Sequence, residues 1–156
     1  MALNLIAATE LKGIALTRLQ TALDVVVQVT NSDAQGQISL ALVDESTSRQ
    51  LNQKFAGNDY ATDVLSFDYL EGESRVSLQH DVRGEIVICL PLAERQAAQH
   101  DCSLATELTM LVVHGVLHLL GYDHDDTSRA SFSALQDDIM SKLKLESRNI
   151  FDGNIH

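Results

Sequence analysis

The sequence contains no tryptophan, and its aromatic side chains amount to three tyrosines and four phenylalanines. Many proteins that bind single strands stack successive bases on aromatic rings, and this chain has few rings for such stacking. Cysteine is also scarce. Cys89 and Cys102 have neither CxxC spacing nor the density of a disulfide scaffold, so both are predicted to be reduced thiols of a cytoplasmic protein.

Long hydrophobic runs are missing as well. The longest apolar stretch, Leu111 to Leu120, is interrupted by two histidines and falls short of the ~20 residues that span a bilayer. The opening segment "MALNLIAATELKG" has no basic region ahead of its apolar residues, so no secretory signal is expected. There is no repeat, low-complexity tract or obvious linker, and 156 residues suit a single domain over 1–156.

Basic residues are few, with 11 Lys and Arg against 22 Asp and Glu and a net charge of −11. This balance counts against a polyanionic partner, because long-range repulsion slows the encounter with nucleic acid. It does not exclude one. A local cleft that holds a dication and a few arginines can be positive inside an acidic envelope.

The pattern of apolar and turn residues predicts a mixture of helices and strands. Helix-period apolar positions predict a first helix from about 10 to 28, and apolar runs bounded by turn signals predict three strands, at 37–44, 64–70 and 84–90. The predicted class is α/β or α+β, with three to four strands packed against several helices in one compact domain.

Cap residues locate the remaining helices. Those predicted are a short helix capped by Ser46 or Thr47, one with Pro91 in its first turn, a longer apolar helix opened by Ser103 or Thr106 and stopped at Gly121, and a last one over about 127–144.

Three of the six histidines, His114, His118 and His124, fall in the stretch "HGVLHLLGYDH". Residues four apart share one face of a helix, so His114 and His118 point the same way. Gly121 tolerates the backbone conformation that ends a helix, and the following turn can return His124 over that face. Three imidazoles suit zinc and leave one position open, as in catalytic sites. The other histidines, His80, His100 and His156, are predicted to be solvated.

The spacing also invites comparison with the metalloprotease pattern H-E-x-x-H-x-x-G-x-x-H. Gly115 stands where that pattern has the glutamate that takes a proton from metal-bound water. Its absence argues against a peptidase. Asp123, Asp125 and Asp126 are better interpreted as residues that orient the histidines or cap a helix.

"HGVLHLLGYDH" resembles the signature H-G-x-L-H-L-x-G-Y-D-H of the YbeY-type endoribonucleases, the bacterial rRNA maturation factors. "ATDVLSFDY" resembles the family's P-T-D-V-L-S-F, with Ala61 in place of proline, and "RGEIVIC" is similar to its G-D-I-x-I strand. The resemblance covers about Ile38 to Leu143. It implies a single cytoplasmic α/β domain with one metal ion, zinc by the nature of the ligands, held by His114, His118 and His124. It also implies cleavage of single-stranded RNA in maturing the 3′ end of small-subunit rRNA and in ribosome quality control.

The chain departs from the family pattern at one position where the family has a cationic residue. The family carries arginine in L-N-x-x-Y-R, whereas this chain has "LNQKFA", with Ala56 at that position. Arginine is suited to bidentate phosphate contact and to stabilising a phosphoryl transition state. Lys54, Arg49 and Arg83 are the candidate substitutes for binding the substrate, although each is more often an ordinary surface charge.

The segment Thr62 to Phe67 has two interpretations. In one, its polar residues satisfy turn groups and its apolar residues fill the core. In the other, Thr62, Asp63 or Ser66 borders the cleft. The first is favoured for most of these residues.

Three classes of function remain open at this point. The preferred one is a zinc-dependent endoribonuclease of the YbeY type. The others are a metal-dependent hydrolase of another substrate, such as peptides, and a non-enzymatic ribosome-associated factor with a structural metal. A structural site would need a fourth protein ligand, for which the aspartates at 123, 125 and 126 are the nearest candidates.

Overall fold

The computed structural model describes residues 3–11, 14–69, 82–122 and 128–146. Within these ranges the chain forms four strands and five helices, which confirms the predicted α+β class. The elements in chain order are β1 Leu3–Ala7, α1 Leu16–Thr30, β2 Gly36–Val43, α2 Glu45–Ala56, β3 Val64–Asp68, β4 Val82–Cys89, α3 Leu90–Gln99, α4 Leu104–Leu119 and α5 Ser128–Glu146.

The four strands form one mixed sheet in the order β1-β2-β4-β3. Strands β1, β2 and β4 are parallel to one another, and β3 runs antiparallel to β4. Parallel neighbours need crossover connections, and α1 provides the one between β1 and β2. Strand β4 is therefore central, with β2 on one side and β3 on the other.

One face of this sheet carries the main core. Ile38, Leu40, Ile86 and Ile88 alternate along β2 and β4 and are at most 1% exposed, as expected when successive residues point to opposite faces. Helices α1 and α4 pack against each other, and α4 also packs on β3 and β4. Helix α4 is buried along most of its length, so the helix that carries the histidine pair is a core element.

The edge strand β1 has its outer backbone groups satisfied by a side chain. Gln20 of α1 accepts a hydrogen bond from the Leu5 N–H at 2.7 Å and donates one to the Leu3 carbonyl at 3.1 Å. An unpaired edge is a template for pairing with another chain. The Gln20 amide therefore blocks part of this edge.

The first helix begins later than predicted. It starts at Leu16 rather than near residue 10, and β1 precedes it. Leu11 is only 8% exposed, although it lies outside any helix. Leu11 thus fits the helical spacing of apolar residues and packs on the core, but its backbone is irregular.

The cap of α2 also differs from the prediction. The cap is Asp44, whose carboxylate accepts a hydrogen bond from the Thr47 N–H at 2.8 Å, and not Ser46 or Thr47. This bond lowers the pKa of Asp44. A carboxylate at a helix amino end also interacts favourably with the helix dipole.

Three other predicted boundaries are confirmed. Pro91 lies in the first turn of α3, and the Ser103 hydroxyl caps α4 by accepting from the Thr106 N–H at 3.1 Å. Gly121, with a φ of 99°, follows the end of α4 and donates its N–H to the His118 carbonyl.

Across the described part of the chain, no single helix has the length and apolar character needed to cross a membrane; α3 and α4 reach that length only when counted together, across a bend of 114°.

Candidate metal centre and active site

The site is built on the carboxyl-terminal half of α4. His114 and His118 lie one turn apart, and their Nε2 atoms are separated by 3.2 Å. The ring centroids are 4.7 Å apart. The two imidazoles therefore turn the same nitrogen toward a shared point, as the i, i+4 spacing predicts.

Helix α5 supports both rings. Phe132 is 1% exposed, and its ring centroid lies 5.1 Å from that of His114 and 5.0 Å from that of His118. One turn further on, Gln136 Oε1 lies 3.3 Å from His114 Nδ1. An amide oxygen can only accept, so this contact requires the proton on Nδ1 and makes Nε2 the unprotonated nitrogen, which is the form that ligates a metal. Neither Phe132 nor Gln136 was predicted from the sequence.

Opposite the histidines, α4 approaches the sheet closely at Gly115. A Cβ atom there would lie 3.1 Å from Ile86 Cγ1 and Cδ1 and from Ser66 Oγ. The Ser66 hydroxyl donates to the Gly115 carbonyl at 3.2 Å. The position that holds a glutamate in the metalloprotease pattern thus faces β3 and β4, where a carboxylate side chain does not fit. This contact supports the interpretation of Gly115 given above.

The third predicted ligand, His124, lies outside the described residues, as do Asp123, Asp125, Asp126, His80 and His156. Among the residues that are described, no group of three or more His, Cys, Asp or Glu side chains is placed to share a metal ion. The described residues therefore define the geometry of the histidine pair alone.

A cavity of about 250 Å³ opens beside the pair. Its walls come from the end of α3, from α4 and α5, and from the residue before β3. The lining residues are Asp63, Gln96, Gln99, His100, Glu107, Met110, Leu111, His114 and Gln136.

The three polar residues of the TDVLSF segment support different interpretations of that segment. Asp63 lines the cavity, although its Oδ1 also accepts from the Val64 N–H at 2.8 Å. Ser66 holds α4 on the sheet through Gly115, and the backbone of Thr62 bonds the Ser48 hydroxyl. Asp63 is thus the one of the three polar residues whose place beside His114 fits a role at the cleft.

The candidate phosphate-binding cations lie elsewhere. Arg49 pairs with Asp59, with Nε 2.7 Å from Oδ1 and Nη2 3.1 Å from Oδ2. Lys54 Nζ lies 5.2 Å from the Phe55 ring centroid. Neither residue, nor Ala56, is among the described residues that line the cavity with His114. Ala56 is the last residue of α2.

Arg83 contacts the carboxyl end of α4, the helix that carries the histidine pair. Its Nη2 donates to the Leu119 carbonyl at 3.4 Å, at the end of α4. A cation there stabilises the carbonyls that a helix leaves unpaired. Arg83 Nε is buried, and no hydrogen-bond acceptor for it occurs among the described residues.

A larger cavity, of about 380 Å³, lies on the other face of the sheet. Leu51 and Phe55 of α2 cover it, and its floor is formed by strand residues that include Phe67 and Val87. These two alternate in sequence with Ser66 and Ile86, which face α4. This apolar cavity is therefore separated from the histidine pair by the sheet.

Both cysteines are free thiols. Burial raises the pKa of Cys89 and the pKa of Cys102, and the nearby Glu107 adds to the shift at Cys102. The thiolate is the reactive form of cysteine. These two residues therefore have the properties of structural thiols.

His100 was predicted to be solvated, and its side chain is 53% exposed. It is also paired, since its Nδ1 lies 2.9 Å from Oε1 of the buried Glu107. Glu107 and His114 lie seven residues apart on α4, two turns along one face. This spacing was the available sequence signal for Glu107, but its partner His100, which follows the end of α3, could not be identified from it.

The chain matches the family described as Endoribonuclease YbeY over residues 7–144. A relative named Endoribonuclease YbeY from Pelotomaculum thermopropionicum is 39% identical over 134 residues, which are 84% of this chain and 88% of the relative. The relative of that name from Chromobacterium violaceum is 40% identical over 108 residues, 69% of this chain but only 63% of its own length.

The fold has a solved counterpart. The solution structure of TM1509 from Thermotoga maritima aligns with a TM-score of 0.61 at 26% identity and covers 94% of this chain and 92% of that one. The matched segment contains all the elements from α1 to α4, with the histidine pair, the TDVLSF segment and β4. The chain therefore belongs to the Endoribonuclease YbeY family.

Proposed function

We propose that this protein is a metal-dependent endoribonuclease that cleaves single-stranded RNA during rRNA maturation, including the 3′ end of small-subunit rRNA. The observation that carries the proposal is the pair of Nε2 atoms 3.2 Å apart on α4. Membership of a family of metal-dependent endoribonucleases supports it. A role in ribosome quality control and association with the ribosome belong to the same proposal.

The donor set fits a zinc ion. Two nitrogens that each bind zinc at ~2.0–2.1 Å in a tetrahedron are about 3.3–3.4 Å apart, close to the separation of His114 and His118 Nε2. We propose one Zn²⁺ per chain, held by these residues and by His124. When bound, zinc supplies a Lewis acid and lowers the pKa of a coordinated water.

The chain's own residues orient the two imidazoles and exclude a carboxylate from position 115. Gln136 holds the proton of His114 on Nδ1, and the Phe132 ring fixes the planes of both imidazoles. A ligand that keeps its orientation before the metal arrives loses less entropy on binding. Gly115 keeps a carboxylate out of the position that a peptidase uses, so phosphodiesters are the better substrate class. Neither the peptidase nor the non-enzymatic alternative has support in the site or the relatives.

We place this activity in the cytoplasm. The low number of cysteines and their lack of CxxC spacing support that location, since dense disulfide scaffolds are typical of small secreted proteins.

The test combines metal analysis with single-turnover cleavage of an unstructured RNA. Protein purified without added metal or affinity-tag nickel is expected to carry about one zinc per chain, and His118→Ala is expected to lose both the metal and the cleavage. His156→Ala, a substitution of the same kind at a histidine predicted to be solvated, should retain both. Cleavage that persists in His118→Ala, or metal-dependent peptide cleavage that His114→Ala abolishes, would overturn the assignment.

A further inference from the structure

The cavity beside His114 has an unusual set of polar groups for a nuclease. Its lining includes three glutamines, at 96, 99 and 136, two histidines and two carboxylates, and the described residues contribute neither lysine nor arginine to it. Phosphates are bound chiefly by cationic side chains and helix amino ends. The chemistry of this wall therefore disfavours the RNA backbone as its ligand.

Amides suit a different part of RNA. A glutamine side chain both donates and accepts hydrogen bonds, and bidentate amide contacts read the edges of unpaired bases. Gln96 and Gln99 lie one turn apart at the end of α3, and neither side-chain amide bonds any other described residue. Both are thus free to contact a ligand in the cavity.

A buried carboxylate lies behind this wall. Glu107 is 1% exposed, and its Oε1 lies 2.9 Å from His100 Nδ1. Its Oε2 is buried without a hydrogen-bond partner among the residues described. The contact fixes the plane of the His100 ring, whose side chain is half exposed. An imidazole held in this way offers a flat face on which a base can stack.

The remaining lining completes a site for a planar ring. Met110 and Leu111 provide apolar surface, and thioether sulfur packs favourably on aromatic rings. At about 250 Å³ the cavity lies just below the ~300–1,000 Å³ typical of small-molecule sites. It suits one base and not a run of them.

The geometry points to a nucleobase subsite in this cavity, one that prefers a base with an exocyclic amine. The preference follows from Asp63, whose carboxylate lines the cavity, only accepts hydrogen bonds and therefore favours a ligand edge rich in N–H donors. Gln136 lines the cavity and also contacts His114, so the base would belong to a nucleotide next to the scissile phosphate. This inference rests on the proposed function.

Cytosine and uracil provide the matched pair for the test, because their exocyclic groups differ as amine and carbonyl. We expect single-turnover cleavage of oligo(C) to exceed that of oligo(U) by about fivefold or more, the lower range for a good base contact. The double substitution Gln96→Leu and Gln99→Leu should bring the ratio to within about twofold by slowing oligo(C). Gln53→Leu, at an exposed glutamine of α2, should leave the ratio unchanged.

Binding of the free nucleosides separates this inference from the proposed nuclease activity. Cytidine should shift the side-chain amide NMR signals of Gln96 and Gln99 more than uridine does, without any phosphate present. If cytidine binds there but no RNA is cleaved, the proposed function fails and the subsite stands. Equal cleavage of both oligomers together with no cytidine binding overturns the subsite, as does a loss of preference in Gln53→Leu.

Discussion

At the scale of single residues, Gly115 determines how closely α4 approaches the sheet. The histidines on either side of it face Phe132 of α5, while its own Cα faces the fully buried Ile86 and the Ser66 hydroxyl. Glycine within a helix is less favourable than alanine by ~1 kcal/mol. The close approach explains why this cost is accepted here.

We predict that Gly115→Ala lowers the free energy of unfolding by about 1 kcal/mol, because overpacking of ~1–3 kcal/mol exceeds the gain in helix propensity. Ile86→Val removes Cδ1, one of the atoms in contact. The glycine substitution should therefore cost less in the Ile86→Val background than in the wild type. Urea denaturation of the four proteins measures this coupling. Strictly additive effects would show that the contact with Ile86 does not limit the packing.

The family resemblance implies that the residue at position 56 affects the rate of the reaction, although Ala56 is not among the described residues that line the cavity with His114. Loss of one charge-stabilising donor typically costs about 10²–10³ in rate, so the wild-type chain is expected to be a slow nuclease. Ala56→Arg should raise metal-dependent RNA cleavage by roughly tenfold or more, with little change in stability because Ala56 is exposed.

Single-turnover cleavage of an unstructured RNA by both proteins provides the measurement, with His118→Ala as background. Equal rates would contradict the prediction. They would mean that the end of α2 lies outside the cleft, or that Lys54, Arg49 or Arg83 already supplies the charge.

The histidine pair could be predicted from the sequence because its geometry is local to one helix. Its supports could not. Phe132 and Gln136 act across the packing of α4 and α5, and the pairing of His100 with Glu107 joins the residue that caps the end of α3 to α4. No periodicity within one element specifies such contacts, since they depend on how helices cross.

At the scale of elements, the strands that were predicted have a local sequence pattern, and the strand that was missed depends on contacts with other elements. Strands β2, β3 and β4 were predicted to within two residues at each end, because each is an apolar run bounded by turn residues. Strand β1 has only five residues and is completed by its pairing with β2 and by Gln20. Those interactions are tertiary, so the local pattern did not reveal the strand.

The β3–β4 pair carries a titratable contact. The Tyr69 hydroxyl, just after β3, donates to Glu85 Oε1 of β4 at 2.6 Å. Burial, followed by this hydrogen bond, raises the pKa of Tyr69 from 10.0 to about 12. The stability that the neutral phenol contributes is fully present below pH 10 and is lost as the pH rises through about 12.

We predict that the difference in unfolding free energy between wild type and Tyr69→Phe shrinks by about 1 kcal/mol from pH 9 to pH 12, a value reduced for the partial exposure of the ring. The subtraction cancels the other tyrosines and the lysines, which titrate in both proteins. Urea denaturation at the two pH values gives the difference. A difference that is constant across this range would show that the phenol is not held by Glu85.

At the scale of the whole molecule, the charge of −11 opposes RNA at long range, while the proposed metal attracts it at short range. We predict weak RNA affinity that falls with added salt, with a slope of log K against log salt of about −0.7 for each phosphate neutralised. Titration of a labelled single strand, bound to catalytically inactive protein that retains its metal, at several salt concentrations measures it. Affinity that does not change with salt would instead indicate stacking or recruitment by another protein.

The central place of β4 has a consequence for how the chain is made. Synthesis from the amino end delivers β1, α1 and β2 first, and these can pair at once. Strand β3 follows, but its sheet partner is β4, so it must wait unpaired, as must the free edge of β2. At ~5–20 residues per second, the interval between the end of β2 at Val43 and the end of β4 at Cys89 lasts about 2–10 seconds. During that time the edge of β2 that will pair with β4 stays open, and its unpaired N–H and C=O groups are a template for another strand. The nascent protein is therefore most prone to aggregation just before the strand that completes its sheet emerges from the ribosome.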